Sequence, residues 1–171
     1  MKRLSVILAS ALILTLLLCS CASDTFVLVY YENYKLMSDA VSFTVEKVPE
    51  EEHYIIFGAM DGELGQIDYE VHDDAGEPIG TLVYRMATLE YADKYESETG
   101  GLGISGKAGA VESTERLGSY TVSYRTDGNV AIAVWEEDEY AYSVVFTFTD
   151  EETEATTAEV RTYAISLIAT R

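Results

Sequence analysis

Tyr140–Thr149 alternates almost without a break, with Tyr140, Tyr142, Val144, Phe146 and Phe148 two residues apart. Side chains of a strand point to opposite faces in turn, so these five groups all press on one face of a sheet. Such a segment needs neighbouring strands and a second layer to cover its apolar face. The chain supplies candidates for both. His53–Met60 and Leu64–His72 read as strands joined at Asp61-Gly62, a tight-turn pair. Asp73-Asp74-Ala75-Gly76 turns the chain again into Ile79–Met86, giving an antiparallel meander. Ala110–Arg116, Ser119–Thr126 and Asn129–Glu136 form a second set, with a hairpin at Asp127-Gly128. Phe43–Val48 also alternates and is expected as a strand closed by Pro49.

The covering layer is read from spacing of the helical kind. Thr149-Asp150-Glu151-Glu152 is expected to open a terminal helix, with a Thr or Asp cap and acid in its first turn. Ala155, Ala158, Val160, Tyr163, Ala164 and Leu167 form its apolar stripe. Tyr30, Tyr34, Met37 and Val41 fall at i, i+4, i+7 and i+11, which predicts an N-terminal helix. Leu89–Tyr95 suits a turn or two of helix, and glycine-rich Gly100–Gly109 suits no regular element. The expectation is one α+β domain over residues 30–171. It is a single antiparallel sheet of about six to seven strands, rich in meanders, with the C-terminal and N-terminal helices on one face.

The start of the chain carries an address rather than a fold. Met1-Lys2-Arg3 is basic, and Leu4–Leu18 is an apolar run broken by three hydroxyl residues. Its 15 residues span about 22 Å as a helix, short of a bilayer core of about 30 Å. Those are the length and flanks of a signal peptide. Leu18-Cys19-Ser20-Cys21 then resembles the lipobox of bacterial lipoprotein precursors, in which the Cys becomes the acylated N-terminus. Cys21 fits that role because Ser20 before it is small. The resemblance implies residues 1–20 as signal peptide, 21–29 as lipidated N-terminus and tether, and an extracytoplasmic head held to the cell membrane by palmitate-type acyl chains. Two or more such chains suffice for stable attachment. With Cys19 removed and Cys21 acylated, the head has no thiol for a disulfide, a metal or catalysis.

Charge excludes further classes. Removing Lys2 and Arg3 leaves 9 basic residues against 30 acidic ones, a balance of −21. Such a head repels phosphate backbones, so nucleic acid is not an expected partner. The 13 Tyr and 5 Phe supply enough apolar surface for the chain to fold despite that charge.

Four segments carry a wider likeness: Gly62-Glu63-Leu64-Gly65-Gln66-Ile67-Asp68-Tyr69, Leu82-Val83-Tyr84-Arg85-Met86-Ala87, Gly103-Ile104-Ser105-Gly106-Lys107, and Ala131 to Ser143 with Trp135, Tyr140 and Tyr142. With these the chain, from about Val41 onward, resembles a family of uncharacterised domains found in lipoproteins and membrane-anchored regulators of Gram-positive bacteria. Members similarly show a Tyr-Arg-x-Ala strand, an Ile-Ser-Gly turn and a Trp followed shortly by Tyr-x-Tyr-Ser. Gly103 stands where relatives often have Asp, which weakens any polar role of that turn. The resemblance implies a fold class and an address, and no activity.

Catalytic signals are thin. Gly101 to Ala108 nearly spells the phosphate loop G-x-x-x-x-G-K-[ST], but Ala108 lacks the hydroxyl that holds Mg²⁺, and no strand leads into it. Ser105 lies outside G-x-S-x-G because Lys107 takes the last glycine's place. His53 and His72 read as exposed polar residues without metal-ligand spacing. Asp73, Asp74 and Glu77, like Glu136 to Glu139, lack the spacing of a calcium loop and read as a turn and a solvated loop. No metal and no cofactor are expected.

Two features remain as binding candidates. Arg85 lies on the face opposite Tyr84; if partly buried it needs a carboxylate, with Asp68 or Glu70 on the next strand in reach. Trp135, Tyr140 and Tyr142 could form a ligand-facing aromatic cluster or a core beneath the C-terminal helix. The function expected is that of a non-catalytic binding or regulatory module at the envelope, with an envelope protein or wall polymer as partner. The alternative is an envelope enzyme using paired carboxylates on wall polymer. A sensor accessory is a third reading, which an open sheet edge or exposed apolar patch would support.

Overall fold

The structure, a computed structural model, describes residues 26–49 and 51–170. The signal segment and Cys21 lie outside the described residues. Eight strands make one open antiparallel sheet: β1 (Val29–Tyr31), β2 (Tyr54–Met60), β3 (Leu64–His72), β4 (Pro78–Thr88), β5 (Ser113–Leu117), β6 (Tyr120–Asp127), β7 (Val130–Glu137) and β8 (Tyr140–Phe148). Their order is β1-β2-β3-β4-β8-β7-β6-β5. Two meanders therefore meet at β4 and β8, with Tyr84 opposite Val144 and Arg85 opposite Ser143. Met60 pairs with Leu64, leaving a three-residue loop in which Asp61 and Gly62 take positive φ, 54° and 75°, and the Glu63 N–H donates to the Met60 carbonyl.

Helices α1 (Tyr34–Ser38) and α3 (Thr157–Ala169) cover one face. Val160, Ala164 and Leu167 of α3, at i, i+4 and i+7, are buried there with Ile67, Tyr69, Leu82, Tyr84, Tyr142, Val144 and Phe146. Helix α2 (Leu89–Thr99) and a single 3₁₀ turn (Gly103–Ser105) cover the opposite face. Tyr91, Ala92, Tyr95 and Ile104 pack there against Leu64, Ala87 and Ala141. The N-terminal and C-terminal helices thus share one face as expected, and α2 with the 3₁₀ turn adds a second layer on the other.

Several local expectations are corrected. The apolar start of the domain is a strand, not a helix: Val29–Tyr31 pairs with Phe57–Ala59, and Asn33 caps α1 by accepting from the Leu36 N–H. Phe26, in the segment expected as tether, packs edge-on against Tyr91 and Tyr95 at 5.8 and 4.8 Å. Phe43–Val48 is not a strand. It crosses over the face of the sheet, with Val45 seated on Gly65 and the Val48 N–H donating to the Tyr69 hydroxyl at 2.9 Å. Thr149–Glu152 opens no helix, since the Asp150 carboxylate accepts from the Glu152 N–H and the Thr153 hydroxyl in a turn. The helix begins at a capping box, in which Thr156 accepts from the helix backbone and Glu159 reaches back to the Thr156 N–H at 2.8 Å. Ala158 of the expected stripe is exposed.

Candidate functional site

Arg85 is held from three sides. Its Nε donates to Gln66 Oε1 at 2.7 Å, and its Nη1 donates to the Ile104 carbonyl at 3.0 Å and lies 3.4 Å from the Tyr95 hydroxyl. Among the described residues no carboxylate is hydrogen-bonded to it, a correction to the expected ion pair. Register explains this, because Gln66 is the residue opposite Arg85 on β3, whereas Asp68 faces Val83. Gln66 is buried and passes the charge on, its Nε2 donating to Asp68 Oδ1 at 2.7 Å. Burial foremost raises the Asp68 carboxyl above the usual carboxylate range, against the Gln66 hydrogen bond and the Arg85 charge. Gly106 has φ +71°, and a Cβ there would stand 2.6 Å from Arg85 Nη1. The Ile-Ser-Gly turn is therefore the seat of the guanidinium, and Arg85 ties the 3₁₀ turn to the sheet.

The phosphate-loop lookalike closes on itself. Gly101 bridges Ala108, Leu102 N–H donates to the Lys107 carbonyl at 2.7 Å, and the Ser105 hydroxyl donates to Leu102 O at 2.7 Å. The Lys107 N–H is spent on Ser105 Oγ at 3.2 Å. A cradle for an anion needs such donors turned outward, and these are turned in.

Trp135 and Tyr142 are both 3% exposed and stack at 5.3 Å with an interplanar angle of 14°. They belong to the core that α3 covers, and both also line a concavity of 360 Å³ with Ile104, Ser123 and Val134. Tyr140 is half-buried against Phe43 at 5.3 Å and opens onto a cleft of 790 Å³ lined also by Glu46, Met86, Glu137, Asp138 and Glu139. Glu137 is buried and accepts from the Tyr120 hydroxyl at 2.6 Å. Asp73 Oδ1 accepts from the Ala75 and Glu77 N–H groups, the work of a turn. Among the described residues, no group of three or more His, Asp or Glu side chains is arranged to hold a metal.

A further concavity, of 430 Å³, lies between α3 and the sheet. Val71, Ile79, Phe146 and Phe148 line it from β3, β4 and β8, and Pro49 closes one end. Phe146 and Phe148 meet edge to face at 4.8 Å, and Gly80 leaves the space that the Phe146 ring occupies. From the helix, Glu159, Thr162, Tyr163 and Ser166 face it at i, i+3, i+4 and i+7. At the rim the Tyr163 hydroxyl donates to Glu51 Oε1 at 2.9 Å. Burial and that carboxylate push the Tyr163 hydroxyl well above the ordinary tyrosine range. Sequence reasoning missed this groove because Tyr163 was counted into the core stripe. The signal that could have found it is a second stripe on α3, one residue round from Val160, Ala164 and Leu167. His53 and His72, expected as separate exposed residues, come together beside the groove's Glu51 and Val71 in the chain, with ring centroids 4.1 Å apart.

Comparison with protein-family models, curated proteins and solved structures finds no match. No helix among the described residues is long and apolar enough to cross a membrane.

Proposed function

We propose that this chain is an extracytoplasmic lipoprotein, anchored to the cell membrane through Cys21, whose head is a non-catalytic binding module. The observation that carries the binding reading is the groove under α3: a concavity lined by half-buried Pro49, Ile79 and Phe148 over buried Val71 and Phe146, with a carboxylate at its rim. Filling such a concavity removes apolar surface from water at about 25 cal/mol per Å². Glu51, in a head of strongly negative charge, selects against anions and favours a small apolar molecule bearing a cationic or hydrogen-donating group.

The neutral fluorescent probe N-phenyl-1-naphthylamine tests the groove. Its emission should rise on mixing with the head from residue 22 onward. Ser166→Trp, which fills the groove from the helix side, should abolish most of the rise while leaving the melting temperature within a few degrees. An equal rise with Ser166→Trp would remove the groove as the binding seat.

A further inference from the structure

Among the described residues eight large hydrophobic side chains are exposed, and six of them lie between residues 27 and 55. Val27, Val29 and Tyr30, exposed by 58, 50 and 65%, lead into and form β1, the outermost strand on one side of the sheet. Leu36 belongs to α1, and Tyr54 and Ile55 belong to the start of β2, the strand next to that edge. One side of the molecule is therefore an apolar margin, and it is the side on which the described chain begins.

Charge does not set this margin apart, since Phe26–Ile55 contains Lys35 and Lys47 against Glu32, Asp39, Glu46, Glu50, Glu51 and Glu52, a balance of −4. Lys47 lies over the rings of Tyr34 and Tyr54 at 4.7 and 4.9 Å, which places a cation among the aromatics of this margin. What distinguishes the margin is its set of exposed aliphatic and aromatic side chains around that cation. Tyrosines, aliphatics and lysines together are the side chains that settle at a bilayer's interfacial region.

From these observations we infer that the β1 margin rests on the membrane, with Val27, Val29, Tyr30, Leu36 and Ile55 in the interfacial layer and the acidic remainder turned away. This rests on the anchoring proposed above. Only four residues separate Cys21 from Phe26, a reach of at most about 18 Å over five fully extended steps. An acyl group on Cys21 keeps Phe26, where the margin begins, within that distance of the bilayer, so the bilayer is the apolar surface nearest to it. The short β1 edge also keeps its unpaired backbone groups in the hydrated headgroup zone, where water satisfies them. The orientation leaves the groove under α3 open to the envelope side.

The test uses the full lipidated protein in phosphatidylcholine vesicles, with tryptophan reporters Tyr30→Trp on β1 and Thr114→Trp on β5, at the opposite edge. Wild type supplies the background of buried Trp135. Acyl-brominated phosphatidylcholine should quench the residue-30 reporter at least about threefold more than the residue-114 reporter, with a blue shift on reconstitution. Equal, weak quenching at both positions overturns the inference. So does a blue-shifted but unquenched residue-30 reporter, the result expected if a second copy covered the edge instead. Intact mass measurement of the same preparation separates the two layers of the argument. Absence of acyl mass on Cys21 defeats the anchoring reading and this inference with it. Acyl mass with an unquenched residue-30 reporter defeats the inference alone.

Discussion

At Gly65 in β3 a methyl group would overlap Val45 Cγ2, the side chain that brings the 44–48 segment down onto the sheet. Gly65→Ala should cost about 1–3 kcal/mol, the usual range for overpacking. Adding Val45→Ala to that variant should then cost less than Val45→Ala does in the wild type, a coupling that urea titration of the four-member cycle would reveal. Asp68 makes a prediction of opposite sign. Its folded-state carboxyl holds its proton more tightly than an unfolded one. Its stabilising contribution is complete below the ordinary carboxylate pKa and is lost as pH rises through the raised value. At neutral pH the ionised group is a liability, so Asp68→Asn, which still accepts from Gln66, should raise the melting temperature at pH 7. That gain should fade as the pH is lowered towards 4, and a gain independent of pH would show that burial of charge is not its source. Arg85 differs again. The structure gives it a structural role that its sequence position did not reveal, since its partners come from β3, α2 and the 3₁₀ turn. Arg85→Ala should cost about 1–3 kcal/mol by leaving Gln66 and the Ile104 carbonyl without their donor. Amide exchange over residues 102–107 should quicken more than exchange in β7.

Among the elements, the strands were the most legible. Period-two alternation survives in β8, and the Asp-Gly pairs mark the hairpins at 61–62 and 127–128, because both signals arise within a few residues of chain. Helix α3 was legible in its buried stripe but not in its start. Acidic residues at 150–152 look like a first turn, yet Asp150 uses its carboxylate locally and the capping box lies six residues further on. Thr156→Ala should destabilise the head by about 1 kcal/mol, as expected for loss of an N-cap. Asp150→Ala should leave helix content unchanged, which circular dichroism would check. The N-terminal helix was read too long. Tyr34 and Met37 do lie on α1, but Val29–Tyr31 gains ladder bonds from the open edge of β2, and a local pattern carries no record of that edge.

For the whole molecule, charge and layering act together. A head with 30 acidic residues folds against its own repulsion, which screening relieves. Raising salt from about 10 to 150 mM, a change that shortens the Debye length to about 8 Å, should increase the melting temperature. A fall on adding salt would mean that ion pairs such as Arg161 with Glu115 outweigh the repulsion. The two-sided coating of the sheet explains how the eight strands are held with no cysteine among the described residues. One core is closed by α1 and α3, the other by α2 and the 3₁₀ turn, so both faces of β4 and β8 are shielded.

The sequence by itself determined the class of fold, the antiparallel pairing of neighbouring strands and the terminal helix, because alternation, turn chemistry and helical stripes are written within short windows of chain. The tertiary structure alone decided that β4 meets β8, that Arg85 finds Gln66 and a carbonyl instead of Asp68, and that Trp135 and Tyr142 are interior. It also decided that a groove opens beneath α3. Each of those depends on which distant segments share a face, and that is fixed by the joint burial of two cores rather than by the residues on either side.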